Sequence, residues 1–99
     1  MSTQLTDEPA ATSRSFLAEV FVSLKAAVND PQGLAIRDGL RSLGYADVEA
    51  VRAGKYLRVT LTAASSDDAH AQVRRMCDQL LTNPVIETYQ ISITALADH

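Results

Sequence analysis

The chain has 99 residues, of which 46% are hydrophobic and 21% charged, one domain's worth of sequence, too short for two cores and too apolar for a disordered chain. Nine Lys and Arg against 12 Asp and Glu leave a net charge of −3, a poor start for nucleic-acid binding, which takes a basic patch to displace counterions from phosphates. The single cysteine excludes an intrachain disulfide and a multi-cysteine zinc site, and no apolar run reaches the roughly 18 residues of a membrane span.

Residues 1–15 are polar, with Pro9 and several Ser and Thr. They lack a basic start followed by an apolar stretch, so the expectation is a flexible tail and a cytoplasmic protein rather than a secreted one. From Phe16 the pattern changes: Phe16, Ala18, Val20, Val22 and Leu24 alternate with Leu17, Glu19, Phe21 and Ser23, the period of a strand. Asp30-Pro31 then predicts a helix start, because the carboxylate can accept the free N–H groups of the first turn and proline fits the first helical position. Ile36, Leu40 and Leu43, with Ala35 and Gly39 beside them, form a stripe at helical spacing, and Gly44 closes the helix.

Residues 48–53 read as a second strand and 55–62 as a third, with Gly54 at a hairpin turn. Leu57, Val59 and Leu61 point one way, and Tyr56, Arg58, Thr60 and Thr62 the other. Ser66, Asp67 and Asp68 open a second helix, their side chains suited to the positive end of its dipole. Its predicted buried stripe is Ala69, Val73, Met76 and Leu80, with Cys77 close by, and Asn83-Pro84 stops it. Residues 85–93 form a fourth strand, with Val85, Tyr89, Ile91 and Ile93 on one face, and residues 95–99 are expected to fray.

The order strand, helix, strand, strand, helix, strand predicts an α+β, ferredoxin-like split βαβ sandwich: a four-stranded antiparallel sheet with two helices on one face, forming a single domain over 16–94. Strands one and three are central in that topology. Their helix-free face then carries Leu17, Glu19, Phe21 and Ser23 beside Tyr56, Arg58, Thr60 and Thr62, half apolar and suited to another protein surface. Self-association through Phe21 and Tyr56 is the resulting expectation.

Candidates for chemistry are few. His70 and Cys77 lie seven apart on one helix, about 10.5 Å along its axis and far beyond the reach of a nucleophile and its base. Asp67 and Asp68 are sequence neighbours, which do not face each other on a helix. Gly33, Gly39, Gly44 and Gly54 have neither the P-loop nor the dinucleotide spacing, and the only other histidine is His99 at the chain end. The expectation is no catalytic residue, no metal site and no cofactor on this chain. Arg52, Lys55 and Arg58 make the densest basic stretch, which reads either as a solvated hairpin or as a docking patch for an acidic surface or phosphorylated substrate on a partner.

Four segments carry a resemblance: Phe21-Val22-Ser23-Leu24-Lys25, Asp30-Pro31-Gln32-Gly33, Val51-Arg52-Ala53-Gly54-Lys55-Tyr56, and Met76-Cys77-Asp78-Gln79-Leu80-Leu81-Thr82-Asn83-Pro84-Val85-Ile86-Glu87. In order and spacing the chain resembles the PurS family, the small S subunits of phosphoribosylformylglycinamidine (FGAM) synthase, from about Phe16 to Ile93. The 15-residue polar tail is a departure from that pattern.

The resemblance implies a βαββαβ domain and membership of a three-component ligase of purine biosynthesis. A glutaminase subunit releases ammonia; a large synthetase subunit, using ATP and Mg²⁺, activates formylglycinamide ribonucleotide for amination. The S subunit is implied to be a non-catalytic bridge, a homodimer or dimer of dimers, that helps pass ammonia between the two. On that reading Arg52, Lys55 and Asn83 are expected to meet the larger subunits. A small-molecule-binding regulatory domain with the same element order is the alternative, and a small phosphatase of this fold a more distant one, since residues 25–29 hold neither arginine nor glycine.

Overall fold

The computed structural model describes residues 13–97, so the expectations for residues 1–12 of the predicted tail and for residues 98 and 99 lie outside it. The elements are β1 (Arg14–Leu24), α1 (Pro31–Ser42), β2 (Gly54–Ala63), α2 (Ser66–Met76) with a π turn over Cys77–Leu81, and β3 (Glu87–Ala95). β1 begins two residues earlier than its alternation predicts, and β3 starts at Glu87 rather than Val85, which is left exposed in the turn before it.

The sheet has three strands in the order β2-β1-β3, antiparallel throughout. Its inward face presents Phe16, Ala18, Val20 and Val22 from the central strand, all buried, flanked by Leu57, Val59 and Leu61 on one side and Tyr89, Ile91 and Ile93 on the other. α2 lies across this face and buries Ala69, Val73 and Cys77 against it. Ser65 caps α2 by accepting from the Asp68 N–H at 3.1 Å, while the Asp68 carboxylate reaches back to the Ala64 N–H at 3.2 Å. One orphan donor of the helix and the N–H just before its cap are thus satisfied by side chains.

Leu80, predicted in the α2 stripe, is instead 83% exposed. The π turn explains this: the Thr82 N–H and hydroxyl both donate to the Cys77 carbonyl, so one extra residue enters the last turn and rotates the register. Leu81 packs against the core in its place.

The larger correction concerns residues 48–53. They join no strand, and the predicted hairpin at Gly54 is absent. Residue 53 is held straight because its N–H donates to the buried Asp30 carboxylate at 2.7 Å, and the Arg52 guanidinium donates to the carbonyls of Lys25 (3.0 Å) and Val28 (2.9 Å). The segment runs beside α1 instead. Asp30 meets Ala53 at one end, Gly33 lies against the Val51 carbonyl, and the Arg41 Nε donates to the Val48 carbonyl at 2.8 Å at the other. Helix and segment thus form one antiparallel arm.

α1 starts and stops as predicted, with Asp30 accepting from the Gly33 N–H at 2.9 Å and Gly44 in the left-handed region at φ 108°. Its predicted apolar stripe is nevertheless not buried within this chain. Only Gly33 is buried on the helix, and α1 does not pack on the sheet.

Two glycines of α1 predict opposite outcomes. A Cβ at Gly33 would collide with the Val51 carbonyl and sit 2.6 Å from an Asp30 carboxylate oxygen, so Gly33→Ala is expected to lower stability despite alanine's better helix propensity. At Gly39 a Cβ meets nothing within 4 Å, and Gly39→Ala is expected to add about 0.5–1 kcal/mol. Thermal unfolding followed by circular dichroism gives both signs.

Candidate functional site

The catalytic candidates are not brought together in the fold. Cys77 is fully buried beneath α2, and burial pushes its thiol up, away from the reactive thiolate. His70 is exposed in the opening turns of the same helix. Asp68 is taken up by the cap and by the Gln72 side-chain amide at 3.0 Å. Among the described residues there is no group of three His, Cys, Asp or Glu side chains that could hold a metal ion.

What the fold does assemble is surface. On the helix-free face, the β1–β2 register places Phe21 opposite Tyr56 and Glu19 opposite Arg58. The two rings stack in a tilted pair with centroids 5.2 Å apart, both half-exposed, and the Tyr56 hydroxyl donates to the Glu19 carboxylate. That hydrogen bond pushes the phenol up from its ordinary value, so Tyr56 remains a donor at neutral pH. Around this pair the register lines up Thr60, Thr62, Thr88, Gln90, Ser92 and Thr94. The face is therefore more polar than the two central strands alone suggest, with one aromatic pair toward the end where β2 begins.

The predicted docking residues gather at the end of the sheet where β2 begins. Lys55 Nζ donates to the Leu81 carbonyl at 3.2 Å and lies 3.8 Å from Glu87. Glu87 accepts from the Asn83 N–H at 2.7 Å, and the Asn83 side chain accepts from the Val85 N–H at 3.0 Å. Lys55 and Glu87 are thus joined by an ion pair and Glu87 and Asn83 by a hydrogen bond, and the three shape the turn into β3. Arg52 is separate, committed to the base of the arm. Leu80 and Val85, exposed at 83% and 76%, flank this turn. Helical and strand periodicity both predict them inward, and only the π turn and the late start of β3 turn them out.

The described residues thus form a small α+β domain, a three-stranded antiparallel sheet with α2 packed on one face and the other face open. The PurS model, described as phosphoribosylformylglycinamidine (FGAM) synthase, matches residues 17–95. The chain is 48% identical over 84 residues to the phosphoribosylformylglycinamidine synthase subunit PurS of Synechocystis, covering 85% of this chain and 84% of that one. Among solved structures, PurS of Bacillus subtilis superposes with a TM-score of 0.70 at 42% identity, covering 80% of this chain and 98% of that chain. A chain of the PurLQS structure from Thermotoga maritima does so with a TM-score of 0.75 at 30% identity, covering 81% and 98%. The chain belongs to the PurS family.

Proposed function

We propose that this chain is the small subunit of an FGAM synthase, acting in purine biosynthesis as a non-catalytic homo-oligomeric bridge between a glutaminase and an ATP-dependent synthetase subunit. The observation that supports it is the family match over residues 17–95, which takes in both helices and all of the sheet but the first three residues of β1. Ammonia released at one site and used at another is protonated and lost in bulk water, so the two sites must be docked and the path between them kept dry. A rigid domain with several exposed surfaces suits that task. ATP and Mg²⁺ belong, on this reading, to the synthetase subunit, and the assembly is cytoplasmic. No helix among the described residues is long and apolar enough to cross a membrane.

The turn around Lys55, Asn83, Leu80 and Val85 is the surface we assign to the larger subunits, with Arg52 placing the arm beside it. Phe21 and Tyr56 offer a second face for self-association. Light scattering on a sizing column tests the whole reading. The chain alone is expected to run as a dimer or dimer of dimers, and to shift into a larger assembly with the glutaminase and synthetase subunits in glutamine and MgADP. A chain that ignores both partners overturns it. Within that assay Leu80→Asp with Val85→Asp, both at exposed positions, is expected to weaken assembly at least tenfold, about 1.4 kcal/mol, while the circular dichroism spectrum is unchanged.

A further inference from the structure

The outer edge of β3 is unguarded, and a basic groove runs beside it. β3 pairs with β1 alone. The Lys25 N–H donates to the Ile86 carbonyl at 2.8 Å and the Leu96 N–H to the Ser15 carbonyl at 2.9 Å, which fixes the phase of that ladder. Thr88, Gln90, Ser92 and Thr94 therefore bond to β1, while Tyr89, Ile91 and Ile93 turn their N–H and C=O groups outward. Among the described residues these outward groups meet no backbone partner. Sheet edges are commonly defended by charged side chains, proline or a bulge. β2, at the opposite edge, carries Lys55 and Arg58. Residues 88–95 of β3 hold no charge, no proline and no glycine, and their register against β1 is unbroken.

Between this edge and α2 lies an open groove of about 580 Å³, lined by His70, Arg74, Tyr89, Gln90 and Ile91. His70 and Arg74 are four apart and share one flank of the helix. Both are exposed, and Arg74 forms no ion pair among the described residues. Two acids flank them in sequence, Asp67 and Asp78. The Asp78 carboxylate already accepts from the Tyr89 hydroxyl at 3.1 Å. The middle of the groove is thus left to an imidazole and a guanidinium, on a chain whose net charge is −3. Four helical residues rise about 6 Å, close to the roughly 6.8 Å between alternate residues of a strand.

We propose that this edge and groove take an extended acidic segment of a partner protein as an added strand. The segment's backbone pairs with Tyr89, Ile91 and Ile93, and two of its alternate side chains, both carboxylates, face His70 and Arg74. Main-chain bonds supply the affinity and the two nitrogen-bearing side chains select for acid. The intervening side chains emerge on the open face beside Thr88, Gln90, Ser92 and Thr94, where small hydroxyl residues fit best. A second copy of the chain is a poor occupant. Two β3 edges joined about a two-fold axis would set the His70–Arg74 flank of one protomer against that of its partner, like charge facing like. The site goes beyond the subunit reading above and does not depend on it.

The test is a titration of the full chain, followed through its amide NMR shifts. The probe is a peptide of about seven residues alternating threonine and glutamate, long enough to cover the free edge. It is expected to shift the amides of Tyr89, Ile91 and Ile93 saturably, and to bind at least tenfold more tightly than the same peptide with lysine for glutamate. N-methylation of its backbone should abolish binding, because the methyl groups block main-chain pairing. His70→Glu/Arg74→Glu should reverse the preference toward the lysine peptide, with the fold checked by persistent protection of the β1 amides. Should that variant not fold, Arg74→Gln is expected to lose the preference without reversing it. An acidic peptide that leaves the β3 amides unmoved, or binds equally well when N-methylated, overturns the proposal. Edge amides that are protected without peptide also overturn it. Loss of that protection in Asp7→Ser/Glu8→Ser would then identify the chain's own N-terminal segment as the occupant, and loss on dilution a second copy.

Discussion

Phe16→Ala is expected to destabilise the domain by about 3–5 kcal/mol, the usual cost of emptying a buried phenylalanine site. Phe16 is fully buried in its own small cluster, whose other buried members are Ala63 and Ala69, with Leu61 and Ile93 at its margin. The two buried alanines cannot move in to fill the space, so any collapse of the cavity falls to Leu61 and Ile93 at its margin. The Arg14 guanidinium, 5.6 Å from the ring centroid, loses its aromatic partner as well. Against a total stability of about 5–15 kcal/mol for a domain of this kind, the variant is left marginal. Chemical denaturation read by circular dichroism measures it, and Phe16→Leu, which keeps most of the volume, should recover more than half of the loss.

Asp30→Ala is expected to release the arm. One carboxylate oxygen accepts from Gly33 and the other from Ala53, and the residue is 4% exposed. Alanine removes the helix cap and strands a backbone N–H together, which should lower the melting temperature by roughly 5–15 °C. Loss of amide protection should concentrate in α1 and residues 48–53, with β1 spared. The same geometry fixes a pH dependence. The Gly33 N–H, then the Ala53 N–H, and beyond them the Arg52 charge, hold the Asp30 carboxyl below its ordinary value of 3.8. A carboxyl depressed in the folded state contributes stability above its unfolded value, and that contribution is lost as pH falls through the folded one. Wild type should therefore lose arm protection below about pH 4. Asp30→Asn, which keeps one acceptor and has no charge to titrate, should be weaker than wild type at pH 7 but lack this acid limb.

Much of the local structure is legible in the sequence because it is set by neighbours in the chain. The alternation of Phe16 to Leu24, the Asp30-Pro31 cap, the left-handed Gly44 and the inward row Leu57, Val59 and Leu61 need only local sterics and the periods of strand and helix. The buried stripe of α2 was readable as far as Cys77 and failed at Leu80, where a π turn inserts a residue that no periodicity announces. Candidate chemistry was legible in the same way: the spacing of His70 and Cys77 on one helix rules out a dyad before any fold is known.

The residues thus determine the elements, their caps and the inward face of each strand, since each depends on interactions within a few positions. The partner of residues 48–53 is a different kind of question. Their neighbours permit a strand, but whether Gly54 turns back depends on Asp30 reaching Ala53 across 23 residues and Arg52 reaching Lys25 across 27. A hydrogen bond of that span exists only once the chain is folded. So only the tertiary structure decides that residues 48–53 stand off the sheet and that α1 carries its apolar stripe into the open.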